Sequence, residues 1–116
     1  MASEQATFDN NQKAAIVALL LDMANADEVI DFGELVHVND ILHRLEVDDD
    51  TFKLGRDHLK DAYALQIAKN MTDAQKVYLG KLLVEVIDAD DEVTPEELHL
   101  LNYIAQVIGL SEILDR

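Results

Sequence analysis

The 116-residue chain contains no cysteine, so it has neither a disulfide nor a thiolate to act as metal ligand or nucleophile. Turn formers and aromatic residues are scarce as well, with one Pro, four Gly, three Phe and three Tyr. A β-sandwich or barrel needs many turn residues and strands rich in β-branched or aromatic side chains, so these counts point away from both. Long apolar runs are missing too. The longest, "AAIVALLL" from Ala14 to Leu21, falls far short of a bilayer span. The N-terminal "MASEQATFDNNQ" lacks the basic and apolar regions of a secretory signal, which makes cytoplasmic residence the expectation. Basic residues are few: nine Lys and Arg stand against 24 Asp and Glu, a formal charge of −15. Such a surface repels phosphate backbones and anionic headgroups, so neither nucleic acid binding nor direct membrane insertion is expected. It attracts cations and basic protein surfaces, and also keeps a protein well solvated.

What is abundant is Leu, Ala, Glu and Asp, in a chain that is 49% apolar. That length and composition predict a single domain over residues 1–116, all-α. Shifting the chain by 63 positions reveals an internal repeat, residues 13–50 against 76–113. "LLLDMANADEVIDFGELVHVNDIL" lies on "LLVEVIDADDEVTPEELHLLNYIA", with Leu19, Leu20, Ala26, Asp27, Glu34, Leu35, Asn39 and Ile41 each meeting an identical residue. Asp22 falls on Glu85 and Ile30 on Val93. Two copies are too few for a solenoid, so the hairpins are expected to pack face to face about a pseudo-two-fold axis.

Each copy reads as helix, acidic turn, helix. The first helices, from Asn10 to Asn25 and from Asp73 to Ile87, are apolar around most of their circumference and belong in the centre. The second helices carry narrower stripes: Leu35, Val38, Leu42 and Leu45 in one, Leu98, Leu101, Ala105 and Ile108 in the other. Asp31 with Glu34, Thr94 with Glu97, and Thr72 with Gln75 have capping-box spacing, and Pro95 suits a first helical position. Between the copies, a short helical turn after Asp48–Asp50 and a helix from Asp57 to Lys69 are predicted. Gly109 is read as a helix C-terminal glycine and "LSEIL" as a last short helix capped by Ser111, which makes about seven helices.

The segments "MANADEVIDFGEL" and "VIDADDEVTPEELHLLNYIAQVIGLS" resemble the TerB-like tellurite-resistance family over nearly the whole chain, from Ala14 to Leu114. The N-terminal region of certain membrane-anchored DnaJ-type co-chaperones is of the same group. The family pattern has Gly after Ala-Asp, where this chain carries Glu28 and Asp91. The resemblance implies a compact, non-enzymatic helical domain linked to tellurite or metal stress. It also implies a protein partner, in membrane-associated complexes.

Three readings compete for the acidic motif. A calcium loop of EF-hand type wants an acid at position 1, Gly at 6 and Glu at 12. Aligned on Val93, the second copy has Asp88, Asp90 and Glu97 at positions 3, 5 and 12 but Val86 at 1 and Asp91 at 6. The first copy fails in the same way, with Met23 at position 1. A carboxylate-bridged di-metal enzyme of ferritin-like kind is the alternative from another class, using Glu34 with His37 and Glu96 with His99. Its two Glu-x-x-His motifs are out of register, because Glu34 aligns with Glu97 and His99 with Val36. The third reading takes the acids that do match, Asp22, Asp27, Glu34, Glu85, Asp90 and Glu97, as candidate oxygen ligands for calcium, magnesium or manganese. Beside it stands the structural account: Glu34 and Glu97 as capping residues, first-turn acids favoured by the helix dipole, and Asp22 and Glu85 on a polar edge. No phosphate loop, nucleophile elbow or zinc spacing is present.

Overall fold

The computed structural model describes residues 7–25, 32–88 and 93–114, with backbone alone for 32–35 and 114. Among the described residues there are seven α-helices and no strand: α1 (Asn10–Ala24), α2 (Phe32–Arg44), α3 (Asp49–Lys53), α4 (Asp61–Lys69), α5 (Asp73–Asp88), α6 (Pro95–Ile108) and α7 (Leu110–Leu114). A π-helical turn, Leu54–His58, follows α3 directly.

Helix α1 is the central element. Every residue from Ala14 to Leu20 is buried, because α2, α3, the π turn, α4, α5 and α6 all pack on it. An all-round apolar helix is stable only when surrounded, and three alanines in that run let neighbouring backbones come close. The tightest approach is at Gly55. A β-carbon there would lie 2.4 Å from the Ala14 carbonyl oxygen and 2.7 Å from Val17 Cβ. That contact accounts for a departure from expectation. The helix predicted from Asp57 begins at Asp61 instead, after the π turn and an extended Leu59.

The two halves meet at their capping boxes. Asp9 caps α1, its Oδ1 accepting from Gln12 N (2.7 Å) while Gln12 Oε1 accepts from Asp9 N (2.9 Å). Thr72 and Gln75 repeat the arrangement at the start of α5. Gln12 and Gln75 are repeat equivalents, 63 residues apart, and their amides bond to each other in both directions at 3.2 and 3.4 Å. Reciprocal contact between equivalent residues is what a two-fold axis produces, so the pseudo-axis passes between these two glutamines.

The helix ends repeat as well. Gly109 closes α6 in the left-handed region (φ 80°), and its equivalent Glu46 closes α2 at φ 58°. There Glu46 N donates to His43 O and Val47 N to Leu42 O, so the turn is built around the left-handed residue despite its β-carbon. Helix α7 starts at Leu110, one residue before the expected cap, so Ser111 lies within it. The stripe expected on α6 is rotated: Leu98 is exposed, whereas Glu97, Ile104 and Ile108 face inward. On α2, Val38 and Leu42 are buried as expected, together with Ile41, the equivalent of Ile104.

Candidate functional site

The repeat places Asp22 and Glu85 at equivalent positions on α1 and α5, yet each meets different company. Glu85 accepts from Arg44 Nη2 of α2, and His37 Nε2 lies 3.5 Å away. Arg44 also reaches Asp40 one turn back, at 3.6 Å. These side chains, with Val84 and Asp88, line an open groove of about 440 Å³ between α2 and α5. The corresponding face between α1 and α6 is occupied by α4, which packs on both. Asp22 therefore sits half-buried beneath α4 and shares a hydrogen bond with the Asp61 side chain. Burial first, then the hydrogen bond to Asp61 and that residue's charge, push the Asp22 carboxyl from 3.8 up to about 7. One acid of the pair thus serves a cross-helix ion pair, and the other keeps its proton up to about pH 7 against a second carboxyl.

Glu97 behaves differently from both. It is the N3 residue of α6, and its Oε1 accepts from Thr94 N (3.0 Å) and Thr94 Oγ1 (3.1 Å). Thr94 Oγ1 in turn accepts from Glu97 N at 3.1 Å, which completes the capping box expected from "TPEE". Only 1% of Glu97 is exposed, and its Oε2 is buried with no hydrogen-bond partner among the described residues. A buried carboxylate oxygen left unpaired is costly, on the order of 1–3 kcal/mol or more. Capping does not explain that atom.

Of the remaining candidate ligands, Asp27 and Asp90 lie outside the described residues, as does the side chain of Glu34 and the cap Asp31. The Glu-x-x-His residues are dispersed. His37 turns toward Glu85, while Glu96 and His99 are exposed and line a shallow groove on α6 with Pro95, Leu100 and Tyr103. No three His, Asp or Glu side chains among the described residues are grouped so as to hold a metal ion. Nor is any helix among them long and apolar enough to cross a membrane.

Residues that the sequence did not single out complete these contacts. Asp40 and Arg44 are an i,i+4 pair on α2, a spacing visible in the sequence, whereas nothing local marks Asp61 as the partner of Asp22. A second groove, of about 640 Å³ and mainly apolar, lies between α5, α6 and α7. It shares Val84 and Glu85 with the first.

No protein-family model matches the chain, and no curated protein matches it. The fold is similar to that in the crystal structure of a protein of unknown function from Porphyromonas gingivalis W83, with a TM-score of 0.75 over 96% of both chains at 21% identity.

Proposed function

We propose that the chain is a non-enzymatic, TerB-like interaction domain of the cytoplasm that binds a basic partner through its acidic surface. The observation that carries this reading is the uneven use of its carboxylates. Glu97, Asp48 and Asp9 serve as caps and Glu85 and Asp40 are paired with Arg44, while Asp49, Asp50, Asp88, Glu96 and Glu112 are exposed on a chain of charge −15. A field of that sign steers cationic surfaces toward it. By resemblance, the setting is tellurite or metal stress, with a partner in a membrane-associated complex. Calorimetric titration with a Lys/Leu amphipathic peptide and with its Glu/Leu counterpart tests the reading. Binding of the first alone, weakened as salt shortens the screening length to about 8 Å, supports it. Equal behaviour of the two peptides contradicts it.

The orphaned Glu97 Oε2 favours a second role, a weak divalent-cation site at the start of α6 with Glu97 as one oxygen ligand. Calcium, magnesium and manganese all take such hard ligands. Millimolar calcium or manganese is then expected to raise the melting temperature of the native protein but not of Glu97→Gln, which keeps an acceptor for the cap. A flat response in both proteins leaves Glu97 as a capping residue alone.

A further inference from the structure

The repeat shows what is unusual about the surroundings of Asp22. Its equivalent Glu85 meets α2, which brings His37 and Arg44 to the carboxylate. The residues of α6 that correspond to His37 and Arg44 are Leu100 and Val107, so α6 has no cation at either place. The charged group that reaches Asp22 comes from α4 instead, and it is another acid, Asp61. Among the described residues no other charge shifts Asp22. Of the further elements packed on α1, α5 turns Leu79, Leu82, Leu83 and Val86 inward, and α2 directs His37 and Arg44 to Glu85. The π turn pairs Arg56 with Asp57, Lys53 of α3 is exposed, and Glu97 of α6 is held in its cap.

Helix α4 is fastened unequally at its two ends. At its C-terminal end Ala68 and Met71 are buried, Asn70 Nδ2 donates to Gln66 O, and the Thr72–Gln75 cap follows at once. Its start is looser. The N-cap residue Lys60 is exposed, makes no side-chain hydrogen bond to the helix and follows the extended Leu59. Residues 61–63 are exposed as well, and the first buried side chain is Ala64, which removes little apolar area from water. Just upstream, Gly55 is fixed against Ala14, which places the joint between the π turn and α4 at Lys60.

Two carboxyl groups share a hydrogen bond only while one of them carries a proton. We infer that the first turn of α4 is a proton-operated latch, closed on α1 while Asp22 and Asp61 share a proton and released when both are ionised. Burial first, and then Asp61, hold the proton on Asp22 to about pH 7, against 3.8 for a solvated carboxyl. Between those values the closed turn binds a proton that the open turn does not, so closure tightens by roughly tenfold for each step of one in falling pH. Above pH 7 both states are ionised and closure stays constant.

The test is amide hydrogen exchange, read by NMR from about pH 5 to 8 on the native protein, Asp22→Asn and Asp61→Asn, with each rate divided by its intrinsic value at that pH. The reporters are Leu65 and Ala64, whose N–H donates to Lys60 O at 3.0 Å. The latch predicts that these amides open more readily than those of Leu19 and Leu20 in α1 or Leu82 and Leu83 in α5. Their opening is expected to rise roughly tenfold per pH step up to 7 and then to level off. Asp22→Asn is expected to flatten that profile. Asp61→Asn, at an exposed position, removes the hydrogen bond and the charge but not the burial, and is expected to keep only part of the rise. Exchange of Ala64 and Leu65 in step with the four core leucines overturns the latch, because the pair then acts on global stability alone. A rise that persists unchanged in Asp22→Asn overturns it too, and should that variant fail to fold, an unchanged rise in Asp61→Asn does the same.

Discussion

At the scale of single residues, the carboxyl pair of Asp22 and Asp61 sets a pH dependence of known sign. Unfolded Asp22 loses its proton near pH 4, whereas the folded protein holds it to about 7. Between those values the native state binds the extra proton, so this contribution to stability is complete below about pH 4 and fades as pH rises to 7. Asp22→Asn keeps a neutral donor toward Asp61. Its melting temperature is therefore expected to exceed that of the native protein at pH 8 and to converge with it near pH 5; parallel curves for the two proteins would refute the assignment. Glu46 is a second residue with a measurable consequence. Its left-handed backbone is one that a β-carbon disfavours by roughly 1–2 kcal/mol, and the equivalent position already carries Gly109. Glu46→Gly is expected to stabilise the protein by about 1 kcal/mol in denaturant titration, the gain being reduced by the greater chain entropy of glycine. Capping of α6 by Thr94 and Glu97 was legible from spacing alone. The unpaired Glu97 Oε2 was not, since orphaning depends on neighbours that no local pattern encodes.

At the scale of elements, contacts with α1 decide where local propensity yields. The π turn places Gly55 on the Ala14 carbonyl, and Gly55→Ala forces those backbones apart. A loss of about 1–3 kcal/mol is expected on chemical denaturation, as for other overpacked sites. Hydrophobic periodicity located α1 and α5 to within one residue at each end, and the cap signals at Thr94 and Gly109 located both ends of α6. It did not locate the start of α4, because the π turn answers to packing rather than to sequence pattern. The rotation of α6 has a similar origin. Glu97 takes an inward position to close its cap, which turns Leu98 to solvent and brings Ile104 to the core. A stripe counted only by apolar residues misses a buried acid. The Asp9–Gln12 box is the repeat equivalent of Thr72–Gln75, so the 63-residue shift predicts it when applied to caps as well as to apolar residues.

At the scale of the molecule, the duplication is visible in the sequence, and the structure supplies its axis through the reciprocal Gln12–Gln75 contact. The symmetry also exposes where the halves differ. Helix α4 fills the groove between α1 and α6, while the equivalent groove between α2 and α5 and the apolar face beside α7 stay open. Both open surfaces adjoin Val84 and Glu85 on α5, with Asp88 at the end of that helix. Recognition of a basic partner is therefore expected to depend on Asp88, which is exposed and ends α5. Lysine at a helix C-terminus suits the dipole, so Asp88→Lys removes an acid without a penalty to the fold. The affinity of a basic amphipathic peptide for Asp88→Lys, relative to the native protein at low salt, is the most direct measurement of the account. A fall of severalfold or more, shrinking as salt is added, is the predicted result, and equal affinity for the two proteins would contradict it.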